Sequence, residues 1–303
     1  MKIFLTGATG FLGYHIALQC LSEGHQLLCL HRTSSIHPFT PADDQAITWV
    51  TEDEAGRLLP DFRPDVLIHA AWGGVSAQGR NDAAIQQTNI AFTQRILESY
   101  AFPQIIMLGS QDEYGYIDQM VDESHPLRPL SEYAKAKIAC CRLLEERARL
   151  TNACWQWVRI FSIYGEQQAD NWLIPSVILK CLRGEAEMAT TPGEQQYSYL
   201  YSQDFARAIT SMVGRTGECG IFNLSSAHPI TLIRLFRLIK ELTQSSITFL
   251  PTLPYRENQS MVILGNSEKF VNTFGAFERT SLTDGLKRVI LHLQAQTSPL
   301  TQL

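Results

Sequence analysis

The sequence predicts an α/β protein, a doubly wound parallel sheet with helices on both faces and a smaller carboxyl-terminal part. Three observations lead there. Glycines at 7, 10 and 13 follow a short apolar segment and open a helical pattern. Apolar runs and amphipathic stretches then alternate through the first half, as crossover connections between parallel strands require. After about Ile163 the segments shorten, and Pro, Gly and Gln are scattered between them.

Taken in order, Lys2–Leu5 reads as a strand and Phe11–Ser22 as a helix. Gln26–His31 is again strand-like, and Ile47–Val50 is a short strand. Asp65–Ala71 is an apolar run bounded by Pro64 and by Gly73 and Gly74. Over Asn81–Tyr100 the apolar residues Ile85, Ile90, Phe92, Ile96 and Leu97 recur at helical spacing. Gln104–Leu108 is a buried-type strand, Leu130–Leu150 a second long helix and Trp155–Ile160 a further strand. Beyond these, Trp172–Arg183, Asp204–Gly214, Thr231–Leu242 and Ser281–Leu293 have helical patterns, while Glu187–Ala189 and Tyr197–Tyr201 read as strands. The expected plan is a Rossmann-like dinucleotide-binding domain over 1–163 and a mainly substrate-binding part over 164–303, with some segments returning to the main sheet. Active residues collect at the carboxyl ends of such strands.

Composition narrows the function. The chain has 303 residues, 45% hydrophobic and 18% charged, ordinary values for a globular protein. A net charge of −5 argues against a nucleic-acid surface. No apolar run reaches the ~20 residues that span a bilayer, and no basic segment precedes a long apolar one at the start. The seven cysteines include no Cys-x-x-Cys pair and are read as reduced thiols. The expectation is a cytoplasmic protein without metal, membrane or nucleic-acid partners.

The spacing Gly-x-x-Gly-x-x-Gly suits a dinucleotide. One glycine permits a sharp turn, one lets backbone approach a pyrophosphate and one lets helix and strand pack closely. The helix N-terminus then offers N–H groups and a positive dipole end. Tyr133 and Lys137 stand at i and i+4 on one helix face. A neighbouring ammonium is expected to lower the pKa of the phenol and fit it for proton exchange with an alcohol or ketone. Ser110 follows a strand, where its hydroxyl can hold the same oxygen.

These motifs resemble the extended short-chain dehydrogenase/reductases of the NAD-dependent epimerase/dehydratase type. The matching stretches are Thr6-Gly-Ala-Thr-Gly-Phe-Leu-Gly13, His69-Ala-Ala71, Gly109-Ser-Gln-Asp-Glu-Tyr-Gly115, Tyr133-x-x-x-Lys137 and Arg159-Ile-Phe-Ser-Ile-Tyr-Gly165. The resemblance covers nearly the whole chain and is weakest after Leu224. It implies that Tyr133 is the general acid/base, that Lys137 binds the nicotinamide ribose and tunes the tyrosine, and that Ser110 holds the reacting oxygen. It implies a cofactor loop of Gly7, Thr9, Gly10, Phe11, Leu12 and Gly13, bordered by Ala70 and Ala71. His69 is expected to be structural, and Asp204 to cap the helix that follows it.

Relatives that use NAD usually carry an acidic residue at the end of the second strand. Here that end reads His31-Arg32-Thr33-Ser34. Arg32 supplies a planar fork of donors suited to a 2′-phosphate, so His31, Arg32 and Thr33 point to NADP(H). Dehydratases of the family place an Asp-Glu pair after the catalytic hydroxyl, whereas this chain has Gln111 and Asp112. An amide cannot act as the acid. Ser162 and Tyr197 replace an asparagine and an arginine that contact nucleotide phosphates in many relatives. Asn171 and the segment 184–204 are similar to deoxysugar 4-ketoreductases. The substrate set is thus Ser110, Gln111, Asp112, Ser162, Asn171 and Tyr197. The expected reaction is NADPH-dependent reduction of a nucleotide-linked 4-keto-6-deoxyhexose. The alternatives are a nucleotide-sugar epimerase holding NAD tightly and a non-catalytic NADP(H)-binding sensor. The resemblance also implies a homodimer through the helices Asn81–Tyr100 and Leu130–Leu150, with Cys140, Leu143 and Leu144 as contacts.

Overall fold

A computed structural model describes residues 1–76, 78–257 and 259–297. The elements of the first half are β1 Lys2–Thr6, α1 Phe11–Ser22, β2 Gln26–Leu30, α2 Pro41–Gln45, β3 Ile47–Val50, α3 Glu52–Phe62, β4 Val66–His69, α4 Ala83–Glu98, β5 Gln104–Ser110, β6 Met120–Val121, α5 Glu132–Thr151 and β7 Cys154–Ile160. Then follow β8 Ser162–Tyr164, α6 Leu173–Leu182, β9 Glu187–Ala189, β10 Gln196–Tyr201, α7 Ser202–Ser211, β11 Gly220–Leu224, β12 Pro229–Thr231, α8 Leu232–Thr243, β13 Thr248–Leu250, β14 Val262–Gly265, α9 Glu268–Phe274 and α10 Leu282–Thr297. Short 3₁₀ turns cover Gly79–Asn81 and Gln111–Tyr114.

The main sheet has seven strands in the order β11-β7-β5-β4-β1-β2-β3, all paired in parallel. Side chains alternate between its faces, as the pleat requires. Ile3 and Leu5 of β1 join Ile16, Ala17 and Cys20 of α1 and Phe205, Ala208 and Ile209 of α7 in one core. Phe4 points to the opposite face, into a core with Leu59 of α3, Ile96 and Leu97 of α4, and Cys140 and Leu144 of α5. Burying side chains of this size contributes about 1.5–3 kcal/mol each. Cys140 and Leu144 are fully enclosed within the chain, and Leu143 packs partly against the same core. Cys140 and Leu144 are therefore not free to form contacts between subunits, contrary to expectation.

A third core joins α6, α8 and α10 through Val177, Ile178, Leu235, Ile239, Leu286 and Val289. A smaller sheet has the order β12-β10-β14-β6, with β8 beside β10. β11 comes from the second half of the chain yet forms the outer strand beside β7.

The helix at Ser202 begins earlier than its sequence pattern suggests, and Asp204 is not its cap, because Tyr201 occupies that position. Asp204 lies in the first turn with no exposed surface. Its carboxylate accepts from the backbone amides of Arg279 and Thr280 at 3.0 and 2.8 Å and from Arg207 at 2.7 Å. It thus anchors the approach to α10. Asp204→Ala leaves these donors without their acceptor and is expected to cost about 3 kcal/mol of unfolding free energy, read as a lower urea midpoint.

Candidate active site

Strand order reverses between β1 and β4, so connections leave them in opposite directions and a crevice opens at their carboxyl ends. The glycine loop fills one wall of that crevice. Gly7 has φ +81°, and a Cβ there would lie 2.6 Å from the Ala71 amide nitrogen. A Cβ on Gly13 would collide with the Gly7 carbonyl. The Gly10 amide donates to that carbonyl at 3.0 Å, and Gly10 is the N-cap of α1. No side chain caps the helix and its first turn holds no acid. These uncapped N–H groups and the loop's lack of side-chain bulk fit a dinucleotide pyrophosphate. Thr9, Phe11 and Leu12 are half-buried, as are Ala70 and Ala71. His69 stands beneath the loop between the hydroxyls of Thr6 and Thr93, at 2.8 and 3.1 Å. Burial pushes its pKa down to about 3, which keeps it neutral. These contacts give it a structural role.

At the end of β2, Arg32 and Thr33 are exposed. Arg32 forms no ion pair among the described residues, and its backbone amide donates to Ser35 at 3.3 Å. His31 belongs to a cluster that sequence reasoning missed. Its Nδ1 is 3.1 Å from Nε2 of His37, which stacks on Trp49 with ring centroids 3.9 Å apart. Asp44 accepts from the Trp49 indole N–H and pairs with His37, each at 2.9 Å. The residues between the strands form this cluster through tertiary contacts, which leave no period in the sequence.

Ser110 ends β5, and Tyr133 and Lys137 occupy the first turns of α5, whose N-cap Ser131 accepts from the Ala134 amide at 3.1 Å. All three side chains are buried. The Lys137 ammonium donates to the Leu108 carbonyl at 2.8 Å and lies 3.6 Å above the Trp72 ring. It is 5.7 Å from the centre of the Tyr133 ring. Burial lowers the lysine to about 8. Burial also raises Tyr133 to about 12, against the opposing effects of the Ser110 hydroxyl and Arg80. The expected depression of the phenol by its lysine is therefore reversed. Removing the phenol from water costs more than the Ser110 hydroxyl and Arg80 restore, so the protonated form of Tyr133 is favoured at neutral pH.

Beside this group lies a cavity of about 260 Å³, lined by Gln111, Asp112, Leu130, Arg256, Gln259 and Ile263 among others. The side-chain amide oxygen of Gln111 is buried and has no hydrogen-bond partner among the described residues. Asp112 pairs with Arg80 at 2.6 Å. Tyr197 reaches the cavity only through Gln259, whose amide donates to its hydroxyl at 2.9 Å. Ser162 and the exposed Asn171 lie outside its lining. Arg80, Trp72 and Arg256 were not singled out from the sequence, because they sit in irregular segments far along the chain from their partners. A larger groove of about 680 Å³, lined by Asp122, Glu123, Glu268 and Lys269, runs beside Ile221 of β11 and shares no residue with this constellation. Among the described residues, no three His, Cys, Asp or Glu side chains are grouped to hold a metal ion, and no helix is long and apolar enough to cross a membrane.

Comparison with known proteins agrees with this architecture. The chain is 23% identical to an uncharacterized UDP-glucose epimerase of Bacillus subtilis, over 97% of this chain and 98% of the relative. It is 24% identical to a dTDP-6-deoxy-L-talose 4-dehydrogenase (NAD(+)) of Aggregatibacter actinomycetemcomitans, over 77% of this chain and 87% of that one. The UDP-glucose 4-epimerase of Thermus thermophilus, solved in complex with NAD, superposes with a TM-score of 0.84 at 20% identity, over 97% and 99% of the two chains. The family model for the NAD dependent epimerase/dehydratase family matches residues 3–225. The chain belongs to the NAD-dependent epimerase/dehydratase family.

Proposed function

We propose that the protein is a cytoplasmic NADPH-dependent reductase of the C4 ketone of a nucleotide-linked 4-keto-6-deoxyhexose, acting in deoxysugar or surface polysaccharide biosynthesis. The observation that carries this reading is the convergence of the buried side chains of Ser110, Tyr133 and Lys137 at the end of β5, where burial raises the Tyr133 phenol and so favours its acid form. A reductase needs that acid form. The Ser110 hydroxyl holds the ketone oxygen while Tyr133 gives it a proton, and Lys137 stabilises the phenolate left behind. A bound nicotinamide supplies the hydride. Gln111, an amide where a dehydratase needs an acid, supports reduction over elimination. Arg256 in the cavity lining offers the substrate diphosphate a positive charge that Tyr197 lacks. An epimerase is the second reading. It is favoured by the Bacillus subtilis relative and by the Thermus thermophilus neighbour, both named as UDP-glucose epimerases.

With NADPH deuterated on the transferred face and a panel of nucleotide-linked 4-keto-6-deoxyhexoses, deuterium should appear at sugar C4, with one NADPH consumed per sugar. Tyr133→Phe should abolish this turnover while cofactor binding persists. Conversion of a nucleotide-hexose to its epimer without net NADPH oxidation would establish the second reading.

Arg32 and the missing carboxylate at the end of β2 support NADP(H). A charge-assisted bond contributes about 1.5–3 kcal/mol, or roughly ten- to a hundredfold in affinity. Arg32→Ala should weaken NADPH binding by about that factor in fluorescence titration and leave NADH nearly unchanged. Equal losses for both cofactors would refute the assignment.

The proposed homodimer pairs α4 and α5 of two subunits. Its contacts are the side chains these helices leave uncovered, including the exposed Ile85 and the half-buried Ile138 and Leu143. Light scattering at micromolar concentration should give twice the chain mass of 34.1 kDa.

A further inference from the structure

Two cations flank the ring of Tyr133, and only one belongs to the expected catalytic set. The Arg80 guanidinium carbon lies 4.7 Å from the ring centre, closer than the Lys137 ammonium at 5.7 Å. Lys137 is also engaged elsewhere, by the Leu108 carbonyl and the Trp72 ring. Arg80 is held from two sides. Its Nη2 meets the Asp112 carboxylate at 2.6 Å. Its backbone sits in the 3₁₀ turn 79–81, fixed by Gln86, whose amide donates to the carbonyls of Gly79 and Gly74 at 2.8 and 3.2 Å. Packing there is close, since a Cβ on Gly79 would fall 2.5 Å from the Gly74 Cα. The Arg80 Nε is buried and has no hydrogen-bond partner among the described residues, so the contact with Asp112 is made by Nη2 and not by Nε.

We propose that Arg80, clamped by Asp112, is a positioning residue that sets the acid strength of the Tyr133 phenol. This rests on Tyr133 being the proton donor of the proposed reaction. A cation over an aromatic face favours the phenolate, whose charge spreads into the ring, more than the neutral phenol. Asp112 opposes it, so the pair works as a balanced setting in which removal of either partner tips the phenol in a known direction. The other charged groups around Tyr133 are Lys137 on its own helix and Glu113 in the turn 111–114. Glu113 is itself paired with Arg159 of β7 at 2.7 Å. Ser110 and Trp72 contribute no charge.

The test is direct and independent of any substrate. Full-length protein is labelled with 3-fluorotyrosine, which lowers the pKa of a phenol, and titrated by fluorine NMR. The Tyr133 signal is the one missing in Tyr133→Phe. Arg80→Gln should raise its midpoint by about one pH unit and Asp112→Asn should lower it by about one. Arg80→Lys, which keeps the charge, should fall between wild type and Arg80→Gln. Midpoints that do not move, or that move in the same direction in both charge-removing variants, overturn the proposal, because a merely structural pair has no reason to give opposite signs. A Tyr133 signal that fails to titrate in both wild type and Asp112→Asn overturns it as well. The reading of Tyr133 as the acid is judged separately, by the turnover of Tyr133→Phe.

Discussion

The buried ion pair between Glu113 and Arg159 fixes the strand end on which the site is built. Both side chains are almost wholly removed from water, and their closest atoms are 2.7 Å apart. Burying an unpaired carboxylate costs several kcal/mol. Here burial pushes Glu113 up, and Arg159 with the donors of Ser110 and Trp157 only partly offsets it. The Ser110 amide donates to Glu113 at 2.8 Å and the Trp157 indole at 3.0 Å. Arg159 continues to the Tyr114 hydroxyl, which donates to Asn223 of β11 at 2.7 Å. One carboxylate thus ties β5, β7 and β11 at the end where the proposed chemistry takes place. Gly109 belongs to the same constraint, because a Cβ there would collide with the Trp157 indole and the Glu113 carboxylate. The Ser110 hydroxyl stands on a turn whose shape is set by this network.

Tyr133 and Lys137 are buried, and burial determines their protonation. Desolvation moves the tyrosine and lysine of α5 in opposite directions, one up to about 12 and the other down to about 8. Each is thereby pushed toward its neutral form. A neutral phenol is the form that donates a proton. The lysine below its ordinary value still carries charge near pH 7, so it can receive the phenolate produced by that donation. Trp72 strengthens the enclosure by lying against both side chains, its ring at 5.8 Å from that of Tyr133.

The elements of the main sheet were largely legible from the sequence, because its inner strands are buried on both faces and read as short apolar runs. The glycine loop and the pairing of Tyr133 with Lys137 were legible for a related reason, since their spacing is local. α3 escaped notice. It is mostly polar, carries Pro60, and buries only Ala55 and Leu59. β11 is a five-residue segment whose place is set by its neighbour β7 rather than by its own pattern. Asp204 looked like a cap because an acid near a helix start usually is one. Two of its partners, the amides of Arg279 and Thr280, lie 75 and 76 positions away. Arg80 and Glu113 were hidden likewise. Their importance comes from Tyr133, Asp112 and Arg159, which sequence distance separates and the sheet brings together. The reversed direction of the Tyr133 shift was also beyond the sequence, because a pattern of charges does not report how much water is excluded.

The outermost strand of the main sheet has a topological consequence. Residues 1–160 form six of the seven strands, and the seventh arrives only after β8, α6, β10 and α7 have been made. The chain therefore crosses to its second half and comes back before the first half is finished. Cutting after β7 would leave that strand's edge unpaired and strip α7 from the core over α1. The cofactor-loop half and the helical cap are in this sense interlaced, like two hands with one finger exchanged. Grafting the cap of a relative onto this sheet must carry β11 and α7 with the recipient, or the exchange breaks the platform that supports the chemistry.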